Sequence, residues 1–431
     1  MNLVKEVFRY LNGNCNYAVL RNFSGLPEKV NSRDIDILIS KADYNQHKNK
    51  IINIINNSGF KITTYFKNDR IITFVCGKID SETIDLIQFD FFFQTSAYGQ
   101  LILASEIVLE NKLFNGQIYH VSREYEFLDK ALYLKFVGHP YPEKYLYLKE
   151  ELLQSQSLKQ ILVGMFGVHS IEELEAISAS KLKRSLLVKN LKKRPLQQIH
   201  LFILFWFYYI KNKMTYKGFS VGFTGPDGAG KTTVINAIIK ELSQVYSDIP
   251  LYHFRPTIIP NLGEAAHKTK LKSEVDLDYS NPHRGSQTSK INSFIRLLYY
   301  SIDYIIGYFL KTRPYLIRRN VVIFDRYFTD IIADSRRSRI FLNPKVLYWF
   351  GKIFIPKLDY NILLTAHKDI ILGRKQELTP EGIDNINDKL NYLSDKKGYY
   401  LVFNEGEPCE AVQKILTIIF ERQHKKNMKR L

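Results

Sequence analysis

Gly225-Pro226-Asp227-Gly228-Ala229-Gly230-Lys231-Thr232-Thr233 decides how the second half of this 431-residue chain is read. The stretch meets the pattern G-x-x-x-x-G-K-[ST] at every fixed position, and its context matches too: an apolar strand-like run, Phe219–Thr224, leads in, and residues 233–242 carry a helical pattern. Such a loop turns its backbone N–H groups onto phosphate oxygens at a helix N-terminus, which is why Gly225, Gly228 and Gly230 are needed. Lys231 is expected to neutralise the β- and γ-phosphates. The hydroxyl of Thr232 is expected to hold Mg²⁺, with Thr233 closing the cradle. From Phe219 onward strand and helix patterns alternate, so an α/β fold with a parallel sheet is expected there.

A second element lies about 95 residues further on, at Val321-Val322-Ile323-Phe324-Asp325-Arg326-Tyr327. Four apolar residues suit a strand buried on both faces, and the acid falls at its C-terminal edge, where ligands bind in open α/β sheets. Together, GPDGAGKTT and FDRY resemble the thymidylate kinase-like branch of P-loop kinases, over residues 218–405. The run LDYNILLT (358–365) stands as the strand before the lid, and Arg374-Lys375 stands in the lid. The resemblance implies ATP and Mg²⁺ as cofactors and transfer of the γ-phosphoryl group to a nucleoside monophosphate-like acceptor. It makes Asp325 a magnesium-site residue and Arg326 the clamp on the acceptor phosphate. It also places Asp227 at the acceptor sugar and Arg374 at the transferring group.

The chain departs from that family in three places. His253-Phe254-Arg255-Pro256 and a long polar insertion, residues 261–290, replace the short segment that receives the monophosphate, with Arg255 a candidate phosphate contact. The lid, Glu377-Leu378-Thr379-Pro380-Glu381, lacks the expected arginines, whereas Ser335-Arg336-Arg337-Ser338-Arg339 adds cations after DRY. A phosphorylated sugar or glycan intermediate is therefore as compatible an acceptor as thymidylate.

In the N-terminal part, Asp34-Ile35-Asp36-Ile37 sets two carboxylates on one face of a strand, the geometry that holds divalent cations. Asp85 and Asp90 are candidates for a third, and Asp90 is preferred because it stands among aromatics. The arrangement resembles the nucleotidyltransferase fold over residues 15–120. In that family the first two acids bind Mg²⁺ and the third assists the attacking hydroxyl. The upstream Gly-Gly or Gly-Ser pair is missing. Leu20-Arg21-Asn22 stands in its place, with Ser24-Gly25 displaced, and Arg21 is a candidate substitute for the backbone contacts to phosphate.

Composition bounds the rest. An apolar fraction of 45% supports buried cores, and 61 basic against 43 acidic residues leave a formal charge of +18, which favours anionic partners. The expected partners are a nucleotide and a small anionic acceptor. No specific nucleic-acid module is present. Three scattered cysteines exclude a disulfide scaffold, no histidine pair has zinc-ligand spacing, and the absence of a signal-peptide pattern suggests a cytoplasmic protein. The aromatic runs at 201–210 and 294–310 are too short or too charged to span a bilayer. They are read as core, as a homodimer contact or as peripheral membrane contact. The expected organisation is a nucleotidyltransferase-like α+β domain at 1–122, a helical connector at 123–216, a kinase-like domain at 217–421 and a frayed basic tail at 422–431. The connector holds a Ser170–Glu173 capping box and seven basic residues at 181–194. The leading expectation is a phosphotransferase. The alternatives are a nucleotidyltransferase with an auxiliary P-loop domain, or a nucleotide-gated scaffold.

Overall fold

The computed structural model describes residues 2–81, 83–215, 217–260 and 289–431. The polar insertion expected at 261–290 therefore lies, apart from its last two residues, outside the described residues. The chain divides into two compact units. One holds residues 1–78, 86–214 and 424–431, and the other holds 79–85 and 215–423.

The first unit is built on a seven-stranded sheet ordered Lys61–Lys67, Ile71–Ile79, Ile84–Phe92, Asp34–Ile39, Tyr17–Val19, Tyr119–His120, Leu113–Phe114. Helix Asn2–Asn14 carries Leu3, Val4, Val7, Phe8 and Leu11 at helical spacing, so one face is apolar and buried. With helix Lys41–Asn57 it covers the sheet face that presents Ile35, Ile37, Phe74, Phe89 and Phe91. Strand alternation sends Asp36 and Asp90 to the opposite face. The strands Asp34–Ile39 and Ile84–Phe92 pair in parallel with Asp36 beside Asp90.

Residues 123–214 are folded as a run of helices, and Ser170 caps helix Ile171–Ala176 by accepting from the Glu173 N–H. The Glu173 carboxylate reaches back to His169 N–H, one residue before the cap. The boundary expected at 122/123, however, is no break in packing. Ala97 and Ile102 share one core with Phe127, Leu128, Leu132 and Leu182. The tail expected to fray at 422–431 is also corrected. Helix Pro408–Met428 runs through it, and Gln423 and Asn427 are buried.

The second unit holds a five-stranded parallel sheet ordered Leu251–His253, Val321–Asp325, Phe219–Thr224, Tyr360–Thr365, Tyr399–Phe403. Val321 to Phe324 are fully buried, which is why that strand reads as an uninterrupted apolar run. The chain builds first to one side of Phe219–Thr224 and later to the other. The carboxyl ends of the strands therefore border a crevice at the point where the order reverses.

Candidate active site

The loop after Phe219–Thr224 enters helix Lys231–Leu242 through Gly230, whose φ of 83° suits a residue without Cβ. At Gly225 the reason is space: a Cβ there would sit 1.9 Å from the Leu364 carbonyl oxygen. Around this loop lies a cavity of about 500 Å³ lined by Asp227, Lys231, Thr232, Asp325, Arg326, Arg337 and Arg374, among others. Gly228, Gly230 and Thr233 also line it.

Within the cavity the charges are densely paired. Lys231 Nζ donates to the carbonyls of Gly225 and Pro226, both at 2.8 Å, and stands 3.8 Å from Asp227. Burial, reinforced by the charge of Arg326 and opposed by Asp227, Asp330 and Asp325, brings its ammonium down to about 7. Arg326 Nη1 donates to Asp330 Oδ1 at 2.9 Å, while its Nη2 and Arg337 Nη2 grip the two oxygens of Asp227. Asp227 thus orients two guanidinium groups, beyond the acceptor-sugar role that the family resemblance implied. Arg374 Nη1 donates to the Asn404 carbonyl at 2.9 Å, which fixes Arg374 beside the loop.

Asp325 has the features of a cation ligand. One oxygen pairs with His253 Nδ1 at 3.1 Å, and the other is buried and accepts no hydrogen bond. Burial alone would raise this carboxyl. The His253 hydrogen bond and the charges of Arg326 and Lys231 outweigh burial and hold it below its usual value, ionised. Thr232 lines the same cavity, and its hydroxyl with Asp325 would make an all-oxygen donor set, which suits Mg²⁺.

Arg255 is a correction. It is buried, pairs with Asp303 at 3.0 Å and lies over the Tyr300 ring at 4.5 Å. Asp303 also accepts from the N–H groups of Ile258 and Ile259, so the pair fixes backbone and is not placed on the cavity wall. Of the three arginines after DRY, Arg337 lines the cavity, whereas Arg336 is exposed. His253, Asp330 and Asn404 were not singled out from the sequence. The four-residue spacing of Arg326 and Asp330 was the available signal for Asp330.

In the first unit, Asp34, Asp36 and Asp90 bring carboxylate oxygens within 4.8 Å of one another. Asp90 accepts from Thr73 Oγ1 at 2.5 Å and Gln88 Nε2 at 3.0 Å. Asp36 keeps one buried oxygen without a hydrogen bond, and its other oxygen faces Arg21 Nε at 2.6 Å. Burial raises the Asp36 carboxyl to about 7, with Asp34, Asp90 and Asp129 adding to the shift and Arg21 opposing it. Arg21 also meets Asp129 at 3.2 Å, from helix Arg123–Val137, and Thr95 Oγ1 donates to the other Asp129 oxygen at 2.5 Å. A cavity of about 780 Å³ opens beside this group, lined by Arg21, Arg33, Asp34, Lys130, Lys144 and Tyr145, among others. Asp129, Lys130 and Lys144 come from the helical segment, so motif spacing within 1–122 gave no sign of them.

No family model matches the chain, and no curated protein matches it. Among solved structures, a thymidylate kinase from Ehrlichia chaffeensis aligns with 47% of this chain and 98% of its own. The identity is 14% and the TM-score 0.34.

Proposed function

We propose that the second unit is an ATP- and Mg²⁺-dependent phosphotransferase acting on a small phosphorylated acceptor, a nucleoside monophosphate or a comparable sugar phosphate. The observation that carries this reading is the convergence of Lys231, Thr232, Asp325, Arg326, Arg337 and Arg374 on one cavity at the phosphate loop. An acceptor phosphate oxygen attacks the γ-phosphorus as the bond to the β-phosphate oxygen breaks, leaving ADP. A dianionic acceptor has no proton to lose, so no general base is needed. Catalysis then rests on position and on cations.

The loop N–H groups receive the β-phosphate. Lys231 exchanges the Gly225 and Pro226 carbonyls for phosphate oxygens, and that anion restores its positive charge against the effect of burial. Thr232 and Asp325 would hold Mg²⁺, which would supply charge neutralisation to the phosphates. Arg326 and Arg337 hold the acceptor phosphate, and Arg374 reaches the transferring group from the lid. The test is ADP release from ATP over a panel of nucleoside monophosphates and sugar phosphates. Lys231→Ala should lower kcat by about three orders of magnitude. Acceptor-dependent turnover that survives this change sinks the kinase reading.

A second reading concerns the first unit. Three carboxylates within reach of one cation, beside a cavity rich in Arg and Lys, favour nucleotidyl transfer there, with Asp34 and Asp36 as metal ligands and Asp90 as the third acid. Pyrophosphate release that is lost in Asp34→Ala/Asp36→Ala and kept in Lys231→Ala would select it. Nucleotide binding without turnover against any acceptor would select the scaffold instead.

A further inference from the structure

Residues 176–214 contain nine lysines and arginines and no acid. They form helix Ala179–Lys193 and, directly after it, helix Pro195–Met214. One side of the second helix is firmly anchored in the first unit. Gln198 Nε2 donates to the Gly99 carbonyl at 2.8 Å, Leu201 is buried, and Asn212 Nδ2 donates to the Lys67 carbonyl at 3.2 Å. Gly99 lets the helix approach this closely: a Cβ there would lie 2.9 Å from Phe202 Cα and Phe205 Cβ.

The opposite side is apolar and uncovered. Leu196, Ile199, Ile203, Trp206, Ile210 and Met214 all stand exposed, Leu196 at 82% and Met214 at 75%. At 100° per residue these six positions fall in a stripe about 100° wide, opposite Gln198, Leu201, Phe205 and Asn212. Helix Ala179–Lys193 adds an exposed basic face at Lys181, Arg184 and Lys192, which line a shallow groove with Val188. Lys211 and Lys213 stand at the end of the apolar helix. No helix among the described residues is long and apolar enough to cross a membrane.

We infer that this surface docks the protein on an anionic lipid surface, with helix Pro195–Met214 lying in the plane of the headgroups. An apolar stripe with an aromatic at headgroup level and cations at its flank is what such a helix needs. A second copy is the competing occupant, since the stripe repeats at steps of three or four residues. Charge decides against it. A symmetric pair would bring two copies of the same acid-free basic segment together, whereas lipid phosphates neutralise them. The inference is independent of the chemistry at either candidate active site.

The test is vesicle flotation with the full chain. In a Trp349→Phe background, Trp206 is the only tryptophan and its emission reports insertion. Phosphatidylcholine–phosphatidylglycerol vesicles should carry the protein up the gradient, blue-shift Trp206 and release the protein as salt rises. Phosphatidylcholine alone should do neither. Lys181→Gln/Arg184→Gln/Lys192→Gln should weaken binding about a hundredfold. Ile203→Ser/Ile210→Ser should do the same by removing apolar contact. All these positions are exposed, and matched melting curves verify the fold. Three results overturn the inference: no flotation with anionic vesicles, equal flotation with neutral ones, or a concentration-dependent dimer that the serine changes abolish.

Discussion

Arg326 has a φ of 74°, a left-handed backbone that is costly for a long side chain. Its N–H donates to the Phe223 carbonyl at 2.9 Å, and its guanidinium is fixed by Asp330 and Asp227. The strained residue is thus held at the strand end, aimed into the cavity. Asp330 is a positioning residue that acts through Arg326. Asp330→Asn should raise the acceptor KM about tenfold while changing the ATP KM less, as steady-state kinetics would register. Burial, with the charge of Asp334 adding and that of Arg326 opposing, raises the Asp330 carboxyl. The folded protein therefore holds this proton to higher pH than the unfolded chain. The stability tied to Asp330 is full at acid pH and falls as pH climbs through its folded value. Asp330→Asn should flatten that decline, measured as urea unfolding over a pH series that rises from the ordinary carboxylate range. Arg337→Ala should raise the acceptor KM by about tenfold to a hundredfold, and the exposed Arg336→Ala should not. The motif spacing made Lys231, Asp325 and Arg326 legible. It could not separate Arg337, which lines the cavity, from Arg255, which does not. What distinguishes them is a partner far away in the sequence, Asp303 for Arg255 and Asp227 for Arg337.

Alternation within a strand is legible in sequence, but the register between strands is not. Asp-Ile-Asp-Ile already put Asp34 and Asp36 on one face and Ile35 and Ile37 on the other. That Asp36 lies beside Asp90 depends on parallel pairing with Ile84–Phe92, a contact about fifty residues apart in sequence. The same period disfavours Asp85. An odd offset of five from Asp90 puts it on the other side of the strand, the one that presents Phe89 and Phe91 to the core. Asp36→Asn and Asp90→Asn should each weaken Mn²⁺ binding about tenfold or more in an EPR titration, and Asp85→Asn should leave it unchanged. Equal effects from all three would mean a diffuse acidic patch and no site. The missing glycine pair was legible, but its counterpart was not: Arg21 is held by Asp129, from a helix read as part of a separate connector.

At the scale of the whole chain, the largest departure from the sequence reading is the C-terminus, where a run of lysines looks like a frayed tail. Composition records its charge, but the decisive residues are two polar ones with backbone partners far back in the chain. His424 Nδ1 takes the Ile62 N–H at 3.0 Å, and Asn427 Nδ2 donates to the carbonyls of Ile62 and Thr63, at 3.1 and 2.9 Å. Lys61–Lys67 is the edge strand of the first unit's sheet, so the last turns of helix Pro408–Met428 cap groups that would otherwise be open to pairing with another chain. Three hydrogen bonds at about 0.5–1.5 kcal/mol each make deletion of residues 424–431 a loss of roughly 2–4 kcal/mol. Hydrogen exchange at the amides of residues 61–67 should accelerate accordingly, and size-exclusion chromatography should register association through the bared edge. Removing the eight residues also removes four lysines and arginines, so charge has to be separated from hydrogen bonding. Asn427→Ala keeps every cation and deletes two of the three bonds. If it leaves exchange at residues 61–67 unchanged while the truncation accelerates it, the tail acts through its charge and the edge-capping role fails.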